Sequence, residues 1–182
     1  MTLKNRFVAL LTAAALAVPA LAIAKVSSRG GSEILVHGTA PLVNFTMVLK
    51  DVEVKDDGTT TTIEIDGHKF KDKEDSNMRR DHMRKQVFSK KQKWVVTVKN
   101  ADIEPGLKAK KLPATVDTGN GVKPITITDF VREGNGKAFK VKGKIKTTLK
   151  ELGLSEICAV PKVGPCVKEA LEIDATIALK ED

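Results

Sequence analysis

The sequence predicts an all-β, antiparallel domain of about eight strands with one short helix, and three observations carry that expectation. In KAFKVKGKIKTTLK (137–150), lysines stand at 140, 142, 144, 146 and 150, whereas Phe139, Val141, Ile145 and Leu149 stand at odd positions. Strand side chains alternate between faces, so this period of two puts the apolar set on one side and the ammonium groups in water. In KEALEIDATIAL (168–179), Leu171, Ile173, Ala175, Ile177 and Leu179 again share one face. Turn signals (KDDG, GNG and EGNG) separate the alternating runs. Strands with one apolar face each either close as a barrel or pack as two sheets.

The elements follow in order. Lys4 and Arg6 precede an uncharged run, FVALLTAAALAV, then Pro19 and the small-residue endings Ala20-Leu21-Ala22 and Ala22-Ile23-Ala24. This is the layout of a secretory signal peptide over 1–24, preferred over a membrane anchor because the run is Ala-rich and ends in a cleavage pattern. Cleavage near Ala24 lowers the formal charge from +8 to +6 by removing Lys4 and Arg6. Residues 25–31 (KVSSRGG) lack an apolar period and read as a loose arm. Strands are expected at 33–38, 43–54, 59–66, 93–99, 111–117, 123–130, 138–149 and 168–179. The second of these slips in phase at Asp51, as a bulge would make it. The polar stretch 68–88 breaks the alternation and holds the single helix, with Ser76 or Asn77 as its cap.

Export brings an oxidising compartment, and Cys158 and Cys166 are the only cysteines. They are expected to close a short ring containing Pro161, Gly164 and Pro165. A reactive thiol or a metal pair finds no support, because no His or further Cys sits nearby in the sequence; His37, His68 and His82 lack ligand spacing, and DKED at 72–75 lacks the calcium-loop pattern. No nucleophile elbow, phosphate loop or dinucleotide fingerprint is present, so no catalytic residue and no cofactor is assigned.

Four segments in this order, MRRDHMRKQVF (78–88), GVKPITI (121–127), GKIKTTLKELGL (143–154) and VKEALEIDATI (167–177), resemble the signatures of the YceI-like domain, over about residues 32–180. The resemblance implies an exported, lipocalin-like, eight-stranded antiparallel barrel over 32–182, with an apolar interior that binds polyprenyl or other long-chain lipid, without catalysis. Where that family tends to carry Tyr-Pro before the middle strand, this chain has Lys93-Trp94.

The inward set read from alternation is Val43, Phe45, Met47, Leu49, Ile63, Ile65, Trp94, Val96, Val98, Ile125, Ile127, Phe139, Val141, Ile145, Leu171, Ile173 and Ile177. From the residues alone these pack as a dry core; the resemblance favours a cavity for an apolar ligand. Arg80, Asp81 and His82 form the best polar cluster, expected to pin the helix to the sheet more than to orient a head group. The alternative function uses the lysine face to bind a polyanion or an anionic surface. Against nucleic acid, no aromatic residues interleave with the lysines as stacking platforms. A homodimer is compatible with this reading, and no later apolar stretch is long enough to span a bilayer.

Overall fold

The structure, a computed structural model, describes residues 25–40, 43–158 and 166–182. The expected signal segment and Pro161, Gly164 and Pro165 of the short ring lie outside these residues, as does the side chain of Val43.

The chain is all-β and antiparallel. Its strands are β1 (Val26–Ser28), β2 (Glu33–Ala40), β3 (Val43–Lys50), β4 (Glu53–Asp56), β5 (Thr60–Asp66), β6 (Lys71–Asp72), β7 (Lys93–Lys99), β8 (Lys111–Asp117), β9 (Val122–Glu133), β10 (Ala138–Thr148) and β11 (Ala170–Glu181). They form one sheet in the order β4-β5-β7-β8-β9-β10-β11-β2-β3-β6, with β1 added on β11. The sheet curls back on itself, because β3 and β4, near opposite ends of that path, are separated in the chain only by Asp51 and Val52. β1 lies beside β4 as well as β11, and its Val26 N–H donates to Asp56 Oδ2 at 3.1 Å.

The expected count of about eight strands is corrected to eleven among the described residues, for three local reasons. Asp51 adopts a left-handed φ of 57° and splits the second expected strand into β3 and β4. Residues 25–31 are not a free arm: Val26–Ser28 pairs with Leu179–Glu181. Backbone pairing needs no side-chain pattern, so a three-residue strand leaves no period to read. β6 adds two residues paired to Met47 and Val48.

Among the described residues, two short α-helices replace the one expected. α1 (Asn77–His82) is capped by Ser76, whose hydroxyl accepts from the Arg79 N–H, and it runs on as a π-turn through Met83–Val87. α2 (Ile103–Ala109) joins the end of β7 to the start of β8. It contains Pro105 and Gly106, a poor helical composition, but proline is tolerated in a first turn, where its missing N–H has no helical partner to lose. α1 and its π-turn lead into the start of β7, so the two helices close opposite ends of the curled sheet.

Polar contacts fix both ends. Near α2, Thr61 Oγ1 donates to Asn100 Oδ1, and Asn100 Nδ2 donates to Asp56 Oδ1, each at 2.8 Å. Near α1, Arg79 Nε and Nη2 donate to the two oxygens of Asp72 at 2.6 and 3.0 Å, and the Asp72 side chain is 1% exposed. Among the described residues, no helix is long and apolar enough to cross a membrane.

Candidate functional site

The inner face of the sheet encloses a cavity of about 750 Å³. Of the inward residues that alternation marks, Phe45, Met47, Ile63, Ile65, Trp94, Val96, Ile125, Ile127, Phe139, Val141, Ile145, Leu171, Ile173 and Ile177 line it, as does Val98. Leu49, 1% exposed, belongs to the packed core instead of the wall.

Burial shows that this interior is not filled by its own side chains. Ile63, Ile65, Ile125, Ile127, Val141, Leu171 and Ile173 face inward yet are only partly buried. In a close-packed core such residues lose nearly all their accessible surface. Their remaining surface faces the cavity.

Several wall residues escaped the sequence reading. Leu112 and Val116 of β8 and Ile34 and Val36 of β2 alternate at even positions, a period of two that is the signal for them. Phe130 and Arg132 reach the wall at even positions of β9, although Ile125 and Ile127 do so at odd ones. A bulge reverses the phase: Lys142 pairs with Val131 but Lys144 pairs with Thr128, and Asp129 has a φ of 52°.

At the α1 end the wall is built by the helix and its π-turn. The wider turn, closed by the Phe88 N–H donating to Met83 O, lets both Met83 and Val87 face the cavity. Phe88 packs on Trp94 with centroids 4.5 Å apart, and Phe70 adds a second ring at 5.9 Å. Gly67 makes that packing possible, since a Cβ there would stand 2.2 Å from Phe88 Cγ. Met78 lines the cavity while 59% exposed, so the cavity reaches solvent beside α1.

The polar cluster named from sequence does not assemble. Arg80 bonds Asp75 and Asn77, and Asp81 pairs with Lys85 one turn away at 3.0 Å. His82 reaches the cavity wall, half-buried. The ion pair that holds the helix to the sheet is Arg79 to Asp72 of β6. Burial alone would push the Asp72 carboxyl up. The bonds from Arg79 and from the Ser76 and Glu74 N–H groups, with the Arg79 charge, outweigh that and hold it below the usual aspartate range.

Cys158 and Cys166 are joined, with an S–S distance of 2.03 Å. The bridge stands beside the α1 end: Gln86 Nε2 donates to Cys158 O at 3.2 Å, and Ile157 and Val167 line the cavity. Glu156 is the one acidic group placed with these sulfurs among the described residues, and the sulfurs are already bonded to each other. Closing so short a ring constrains the unfolded chain by about 2.5 kcal/mol. Replacing both cysteines by serine is therefore expected to lower Tm by about 5–10 °C while ligand binding persists. Calorimetry on the double variant checks this, and an unchanged Tm would contradict it.

At the α2 end, Ile103 and Leu107 face inward, four residues apart on one helix side. The Arg132 guanidinium lies 3.8 Å from the Phe139 ring centroid, and its Nη2 donates to Glu181 Oε1 at 2.9 Å.

No family model and no curated protein matches the chain. Solved structures do. A polyisoprenoid binding domain from Saccharophagus degradans, implicated in plant cell wall breakdown, superposes with a TM-score of 0.61 at 13% identity, over 88% of this chain and 100% of that one. BcnA of Burkholderia cenocepacia gives a TM-score of 0.55 at 13% identity, over 81% of this chain and 95% of that one. Both are YceI-like structures, so the resemblance carried by the spaced motifs is supported, and what the likeness establishes is the fold.

Proposed function

We propose that this chain, built on the fold of the YceI-like structures, is an exported binding protein that carries a long apolar chain, prenyl or acyl, inside the curled sheet. One observation carries the reading: a cavity of about 750 Å³ whose wall is aliphatic and aromatic over nearly its whole length. Ligand cavities commonly span about 300–1,000 Å³. At about 30 Å³ per heavy-atom centre, the share of one water in the liquid, this one accommodates on the order of 25 carbons. Each methylene withdrawn from water contributes about 0.8 kcal/mol, so such a chain is held without a single polar contact.

The fold neighbour from Saccharophagus degradans, a polyisoprenoid binding domain, supports the same class of ligand. Export rests on the signal-peptide pattern of 1–24, and the closed disulfide is compatible with it. The polyanion reading is weaker, because the lysine face is partly neutralised: Lys142 pairs with Glu133 at 2.8 Å and Lys144 approaches Asp174 at 3.7 Å.

Trp94 supplies the test. It is the only tryptophan, the chain has no tyrosine, and the ring lines the cavity. Its Nε1 is buried without a hydrogen-bond partner, so emission already starts from an apolar setting and quenching is the useful signal. Dibrominated stearyl alcohol is expected to quench Trp94 saturably, and geranylgeraniol to restore the signal by competition. Quenching that grows linearly with probe, without saturation or competition, would contradict the proposal.

A further inference from the structure

The wall of the cavity is interrupted between β2 and β11. Their pairing covers only Glu33–His37 against Thr176–Glu172. The next backbone link between these segments is the Lys168 N–H donating to Thr39 O at 2.6 Å. Between those two links β2 passes one residue, Gly38, while the opposite segment passes three, Glu169, Ala170 and Leu171. The longer segment must arch away, and the sheet is open beside Gly38.

A groove occupies this opening. It is lined by outward-facing positions, among them His37, Thr39, Asn44 and Thr46, and also by Gly38, Phe45, Thr147 and Leu171, whose positions face inward. Phe45 and Leu171 line the internal cavity as well. The groove and the cavity therefore meet at these two side chains, which stand between the groove and the interior. The Phe45 ring lies over Gly38 so closely that a Cβ there would stand 2.3 Å from Phe45 Cζ. Absence of a side chain at Gly38 is what leaves the ring its place. Phe45 is only partly buried, as a ring with open space on two sides should be.

We propose that this opening is a lateral portal: an amphiphile passes its hydrocarbon chain between β2 and β11 with Phe45 as the gate, and its head group stays in the outer groove. The inference rests on the apolar-ligand reading above. The groove's outer lip offers hydroxyl, amide and imidazole groups, with Thr39 Oγ1 donating to Asn44 Oδ1 at 3.0 Å and His37 Nδ1 3.0 Å from Thr46 Oγ1. The lip also holds Lys146, Glu172 and Glu151, and the Glu151 carboxylate already accepts from Thr147 Oγ1 and the Thr148 N–H. That chemistry suits a neutral, hydrogen-bonding head group such as an alcohol or amide.

Exchange kinetics separate a gate from an ordinary wall contact. A wall contact, when truncated, raises dissociation alone and costs affinity in proportion. A gate raises association and dissociation together. With stopped-flow quenching of Trp94 by dibrominated stearyl alcohol, Phe45→Ala is expected to speed association by about tenfold and dissociation by somewhat more, the excess being the wall contact that Phe45 also supplies. Phe45→Leu, which keeps more of the packing, is expected to change both in the same direction by less. Binding with unchanged rates, or a rise in dissociation matched by an equal loss of affinity, would overturn the portal and leave the cavity reading standing. A wild-type protein that does not bind the probe would overturn both.

Discussion

Replacing Val141 by lysine is expected to empty the protein of apolar ligand, with an affinity loss of at least about a hundredfold, or about 2.7 kcal/mol. Val141 sits near the middle of β10, faces inward opposite Ile177 of β11, and lines the cavity. An ammonium group there is withdrawn from water beside the Arg132 guanidinium of the paired β9 position, whose carboxylate partner Glu181 is already engaged. It then either loses its proton or draws water into the cavity, and both outcomes spoil a hydrocarbon site. The control is the opposite face of the same strand. Lys140→Gln with Lys144→Gln removes two charges from water-facing positions and is expected to leave affinity unchanged. Lys142 is unsuitable for this control, because it reaches the cavity edge and pairs with Glu133. Circular dichroism establishes that both variants fold, and Trp94 quenching reads the binding. Loss of binding in the glutamine variant with retention in Val141→Lys would favour the anion-surface reading.

The second large effect falls on stability. Asp72→Asn is expected to cost about 3 kcal/mol, since removing one partner of a buried pair leaves the other charge uncompensated. Arg79 retains Glu74, which places the loss toward the lower end of such effects. The corresponding fall in Tm is about 6–12 °C for a domain of this size. The pH dependence follows from the direction of the shift. The Asp72 carboxyl is held below its ordinary value in the folded state, so the unfolded chain takes up a proton there first. Its contribution is therefore fully present above the ordinary aspartate pKa, about 4, and is lost as pH falls below that toward the folded value. The wild type and Asp72→Asn are expected to differ most at neutral pH and to converge in acid. A stability gap that persists unchanged at pH 3 would contradict the assignment.

What the sequence disclosed was whatever depends on alternation. β10 and β11 were legible because their apolar residues keep strict period two, and Phe139, Val141, Ile145, Leu171, Ile173 and Ile177 do share one wall. The phase slip at Asp51 was visible, but that it would divide one strand into two was not. The reversal at Asp129 was hidden, because TITDFVRE reads as a continuous run whichever residue is left-handed. α2 was missed because Pro105 and Gly106 argue against a helix, while the only positive sign was Ile103 and Leu107 four apart. The Arg79–Asp72 pair crosses from a helix to a two-residue strand, and nothing in local pattern marks it over the neighbouring Arg80 and Asp81. Whether the interior is filled is a matter of summed volumes around a closed circuit, which no single strand reveals. The opening at Gly38 depends on register between β2 and β11, distant in the chain, and is invisible until both are paired.

Mass spectrometry of an organic extract from protein purified natively, without added lipid, tests the central claim most directly. The cavity reading predicts a long-chain apolar compound, prenyl or acyl, in near-stoichiometric amount, retained through a high-salt wash because its binding is not electrostatic. An extract with no such compound, together with anionic material that salt alone releases, would contradict it.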